Sequence, residues 1–162
     1  MSSLDDEQRA LIPAPQKELT IHCIYKGLQL GPTVVLATAL PYQLYRSRKN
    51  LAIVPILSRV GTIAIYGTIT SVAASVLLMH FKLYSEQYNE YKIWDRAYRI
   101  RYSQSQQRTD RFALSASVVG GFAGLFLGLP KKFHPVSAGK GALLAVPFGI
   151  LTHLLIKPEP KK

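Results

Sequence analysis

Four stretches of this chain carry no Asp, Glu, Lys or Arg: residues 27–45, 60–81, 112–130 and 141–156, with lengths of 19, 22, 19 and 16. A helix rises about 1.5 Å per residue, so about 20 such residues cross a hydrocarbon layer about 30 Å thick. A single domain of 162 residues has no core wide enough to bury several such segments in water. Only 18% of residues are charged, against roughly a quarter in soluble domains. A sequence pI near 9.9 would point to nucleic acid if the cations were spread along the chain. They are clustered between the apolar stretches, and no nucleic-acid partner is expected.

The reading is an all-α, polytopic integral membrane protein of three to four transmembrane helices. An N-terminal tail, 1–26, leads into one transmembrane domain, 27–156, followed by a C-terminal tail, 157–162. The spans fall at about 27–45, 60–81, 112–130 and 137–156, with a polar middle loop at 82–111. The fourth reaches full length once Lys140 snorkels or the helix starts near Val136. The second helix begins within 51–58, before its apolar stretch. Pro32 and Pro41 are placed near the two ends of the first span, where a missing amide proton is cheap, and Pro147 in the middle of the fourth. Tyr42, Tyr45, Tyr84, Tyr88, Tyr91 and Trp94 cluster at span ends, as interfacial aromatics do.

Loop charge sets the orientation. Arg46, Arg48, Lys49 and Arg59 in the first loop, and Lys131, Lys132 and Lys140 in the third, have no acid among them. Both loops therefore face the negative compartment, and both termini the other. The middle loop has seven basic and four acidic residues and neither Gly nor Pro, which predicts a long polar helix continuing the second span and turning near 103–107. The N-terminus MSSLDDEQRALIPAP is neither a secretory signal nor an Arg-rich presequence. One Cys and positive loops beside short spans fit the mitochondrial inner membrane, and the endoplasmic reticulum and the bacterial plasma membrane, which share the charge rule, stay open as alternatives.

In lipid, close helix approach depends on small residues repeated every four positions. Ala116, Gly120, Gly124 and Gly128 form such a row in the third span; Gly141, Ala145 and Gly149 in the fourth; Gly67, Ser71 and Ser75 in the second; Gly27 and Gly31 open the first. These Gly-rich faces are expected to pack on partner helices. Chemistry has less to work with. No carboxylate falls inside a span, which argues against a pump or transporter. His22, His80, His134 and His153 have no metal-ligand spacing, Cys23 stands by itself, and no Walker, dinucleotide or nucleophile motif is present. No metal, cofactor or catalytic residue is assigned. A lipid or quinone enzyme would have to draw on His80, His153 and Tyr66, which are scattered.

Gly-rich spans in pairs, tight basic loops at Arg46, Ser47, Arg48, Lys49 and at Lys131, Lys132, and both tails on one side resemble the Tim17/Tim22/Tim23-type four-helix architecture of mitochondrial inner membranes. That architecture serves protein translocases and also an accessory subunit of respiratory complex I. SRVGTIAIYG (58–67), YKIWDRAYRIRYSQSQ (91–106) and the acidic, uncleaved N-terminus resemble the NUXM-type accessory subunits of fungal complex I, over about residues 24–156. The resemblance implies a non-catalytic subunit of the membrane arm, without its own quinone or flavin, whose partners are other membrane subunits and phospholipid such as cardiolipin. Arg46, Arg48, Lys49, Lys131 and Lys132 are the candidate headgroup contacts. The alternative is a Tim17-like translocase component. Against it, the first span has only two Gly, one turn apart, where the translocase family has a fuller series.

Overall fold

A computed structural model describes residues 6–48, 52–127 and 135–156. Among them every regular element is helical: α1 (Asp6–Leu11), α2 (Pro15–Arg46), α3 (Ile53–Ser85), α4 (Glu90–Tyr102), α5 (Gln104–Leu127) and α6 (Pro135–Leu155). Three of them, α2, α3 and α6, are long and apolar enough to cross a membrane. The described part of α5 opens on the polar run QSQQRTDR before its apolar stretch, and residues 128–130 of the third expected span lie outside the described residues.

Proline opens α2 at its first turn, where its missing N–H costs nothing. From there the helix runs 32 residues, about 48 Å, well beyond the about 30 Å of a hydrocarbon layer. Residues 15–26, expected as a tail, are thus the first turns of α2. Pro32 and Pro41, expected at the ends of a span, both lie inside this longer helix. Beside the first of them the Thr33 hydroxyl donates back to the Gln29 carbonyl at 2.6 Å, which satisfies the hydroxyl within its own helix in an apolar stretch.

The middle segment departs from the single long helix that its lack of Gly and Pro suggests. α3 stops at Ser85, and Gln87 and Tyr88 adopt φ of 53° and 50°, a left-handed turn that reverses the chain. Asn89 then caps α4 by accepting from the Lys92 N–H at 3.2 Å. A second break falls at Ser103 between α4 and α5, inside the expected 103–107 interval. The reversal lays one face of α4 on the overhanging start of α2. Ile93, Trp94 and Ala97 bury against Ile12, Leu19 and Leu83, each large side chain contributing about 1.5–3 kcal/mol. This cluster is a folded cap at one end of the molecule.

Helix contacts are most extensive within two antiparallel hairpins, α2/α3 and α5/α6, and sparser between them, where α6 touches α2 and α3. A second core cluster fills that seam: Val35 on α2 and Ile56, Val60 and Ala64 on α3 pack with Leu143 and Leu144 on α6.

Candidate functional site: seams, cap and basic end

The small residues singled out by spacing face one another within the chain. On α5, a Cβ at Gly120 would run into Ala145 Cβ and the Gly141 carbonyl, and one at Gly124 into the Ser137 carbonyl. From the α6 side, a Cβ at Gly141 would lie 2.8 Å from Gly124 Cα, and one at Gly149 would lie 2.8 Å from Ala116 Cβ and strike the Phe112 carbonyl. Gly128 lies outside the described residues. In the first hairpin a Cβ at Gly31 would sit 2.6 Å from Thr68 Cα and one at Gly27 2.5 Å from Val72 Cα. Gly67 meets a side chain instead, with Val35 Cγ2 2.6 Å from its would-be Cβ. Ser71 Oγ is buried without a hydrogen-bond partner among the described residues. The faces expected to receive partner helices are therefore occupied from inside the chain.

What points outward is large and apolar. Leu77, Leu78 and Phe81 on α3, Val119, Phe122 and Phe126 on α5, and Leu154 on α6 are all at least three-fifths exposed, an extent of bare hydrocarbon that marks a membrane or protein interface.

Charge is divided between the two ends. At the cap, Glu18 pairs with Arg101 at 2.9 Å, Asp95 with Arg99 at 2.6 Å, and Glu86 with Arg96. The Arg96 guanidinium, hydrogen-bonded to Glu86, holds that carboxyl below the usual carboxylate range. A further cluster fastens the two hairpins where the apolar stretches begin. Lys26 donates to Asp110 Oδ1 at 2.8 Å, Gln29 donates to the same oxygen at 2.6 Å, and Lys26 also donates to Gln29 Oε1 at 3.2 Å. Gln29 is buried, while the ionic side chains are 34% and 30% exposed, so the pair itself is worth about 0–1 kcal/mol and each amide bond about 1 kcal/mol. Sequence reading missed this triad. Its signal was present: Lys26 ends one charged flank and Asp110 sits in another, with opposite signs.

The opposite end holds cations without acids, because no Asp or Glu occurs between Glu18 and Glu86 or between Asp110 and Glu159. Of the expected headgroup contacts there, Arg46 closes α2 and is exposed. Arg48 is exposed too, its guanidinium 5.1 Å over the Tyr45 ring. Lys49, Lys131 and Lys132 lie outside the described residues. The structure adds a cation that spacing did not select. Lys140 lies along Gly61 of α3, with its Nζ 3.3 Å from Ser58 Oγ.

A family model described as a protein of unknown function (DUF1757) matches residues 2–156. The chain belongs to that family. Neither a curated protein nor a solved structure matches it. Among the described residues of this DUF1757 member, no three His, Cys, Asp or Glu side chains lie close enough together to hold a metal ion.

Proposed function

We propose that the chain is a non-catalytic structural subunit of the membrane arm of mitochondrial NADH:ubiquinone oxidoreductase, complex I, supporting its assembly and stability. In this reading it is a multi-pass protein of the inner membrane whose four helices place both termini on the intermembrane-space side. The observation that carries the structural role is the division of surfaces. Small-residue faces close the bundle on itself, while large apolar side chains such as Phe81, Phe126 and Leu154 are left for lipid and neighbouring helices. Neighbours then meet apolar flanks and the charged, aromatic cap, with Tyr98 stacked on Trp94 and Tyr102 tilted against Tyr98, in place of the glycine rows. Such a subunit works by shape. It fills a position beside partner helices and holds them there, taking no substrate and no cofactor. The choice of complex I rests on the likeness of 58–67 and 91–106 to its fungal accessory subunits.

Blue-native electrophoresis of gently solubilised mitochondrial membranes, with an immunoblot for this chain and an in-gel NADH dehydrogenase stain, tests the reading. Comigration with the stained band, and a weaker band when the chain is deleted, is the expected result. A separate, smaller band ends the complex I assignment, and crosslinks from that band to a translocating precursor would move the chain to the Tim17-like alternative.

A further inference from the structure

Among the described residues of the basic end, Lys140 is the cation held between the two hairpins. Lys140 and Ser58 each lie five residues into their helices, α6 from Pro135 and α3 from Ile53, about 7.5 Å along the axis. The stem of Lys140 occupies the space that a side chain at Gly61 would take, its Cβ, Cγ and Cδ lying 2.8, 3.0 and 3.2 Å from the would-be Cβ. This contact fixes the lysine across the seam between the two hairpins and directs its ammonium to the Ser58 hydroxyl. A hydroxyl is a weak partner for a full charge, and among the described residues the acid-free stretches 19–85 and 111–158 leave no carboxylate in this half of the molecule to neutralise it. Both α3 and α6 also begin at this end, so the positive ends of two helix dipoles add to the ammonium.

We propose that the Lys140–Ser58 seat binds the phosphate of an anionic phospholipid, the ammonium and the hydroxyl both donating to its oxygens. This rests on the reading of α3 and α6 as membrane-crossing. It moves the lipid contact from the arginine-rich loop to the seam. A lipid phosphate is favoured over other anions because the seat lies about one and a half turns from the helix starts, with exposed Ile69 on α3 and Phe148 and Leu151 on α6 further along the same helices for acyl chains. Bound there, the lipid would tie α3 to α6 and so the first hairpin to the second.

The test is native mass spectrometry of the purified full chain in detergent, titrated with cardiolipin, with phosphatidylcholine, or with inorganic phosphate alone. Circular dichroism confirms that each variant is folded. Cardiolipin is expected to bind more tightly than phosphatidylcholine. Lys140→Gln should weaken cardiolipin about fivefold, and Arg48→Gln, the same loss of charge outside the seat, less than about twofold. Gly61→Ala keeps every charge but displaces the lysine stem, and should weaken cardiolipin about threefold; it decides the matter should Lys140→Gln not fold. Equal losses for Lys140→Gln and Arg48→Gln, or full binding by Gly61→Ala, would overturn the site. Phosphate alone binding as well as cardiolipin would overturn the lipid as its occupant. Carbonate extraction separates the two levels: a chain retained in membranes with unchanged binding by the variants loses only the site, and a chain released by carbonate loses the membrane reading as well.

Discussion

In the α5/α6 hairpin backbone meets backbone from both directions: Gly124 abuts the Ser137 carbonyl and Gly141, and Gly141 in turn abuts Gly120 and Gly124. In α2/α3 the contact is one-sided. Gly27 and Gly31 press on the backbone of Val72, Thr68 and Gly67, but a Cβ at Gly67 on the other helix would meet the Val35 side chain first, with the Gly31 carbonyl at an ordinary 3.7 Å, and further along the seam is filled by Val60 and Ala64 with Leu143 and Leu144 of α6. A side chain can rotate out of the way and a carbonyl cannot, so α5/α6 is rigid from both sides, whereas α2/α3 is rigid at Gly27 and Gly31 and adjustable at Gly67.

The sharpest way to break this contrast is Gly124→Leu, which must drive α5 and α6 apart. A loss of about 3 kcal/mol or more is expected, visible as little or no folded protein by thermal melting in detergent, whereas Leu125→Ile costs about 1 kcal/mol or less. Normal accumulation of Gly124→Leu would reduce the row to composition. Next in size is the paired comparison of Gly141→Ala with Gly67→Ala. The first should cost about 2 kcal/mol and the second about 1 kcal/mol, because only the second can be absorbed by Val35 turning aside; equal melting shifts would erase the distinction between the hairpins. Asp110→Asn probes what joins them. It leaves Lys26 with a neutral partner, and a loss of about 1 kcal/mol is expected, together with faster amide exchange at the start of α5 and none within the α5/α6 seam.

The smallest effect is a pH dependence at the cap. Glu86 has its folded pKa depressed by the Arg96 hydrogen bond, so its contribution is complete above the unfolded carboxylate value of about 4.3 and disappears as pH falls through the lower folded value. Melting followed across that acid range should lose less in Arg96→Gln than in the wild-type chain, and identical curves would remove the pair as a contributor.

Much of the bundle was legible because charge and small-residue spacing report directly on what a helix is able to bury. The limits of α6 lie within two residues of the expected 137–156 span, and α3 starts inside the interval assigned to its beginning. Spacing along one helix does not state which helix a row will meet, so the glycine faces assigned to partners turned out to be filled by Ser137, Gly141 and Thr68 of the same chain. The cap escaped notice for a different reason. The reversal after Ser85 uses Gln87 and Tyr88 at positive φ, where neither Gly nor Asn announces a turn, and burial of Ile93 and Trp94 on α4 supplies the energy that holds it. Asp110 lies 84 and 81 residues from Lys26 and Gln29, and only the docking of the hairpins brings it to them.

The cap also sets an order of events. Ile12 and Leu19 are made well before their cover, Ile93, Trp94 and Ala97. Arg101 reaches back across 90 residues to the Leu11 carbonyl and across 83 to Glu18. During synthesis the first hairpin is complete by Ser85 while this clasp still stands open. A chain halted there displays an uncovered apolar edge at Ile12 and Leu19, and closure of the clasp records that α4 has been delivered.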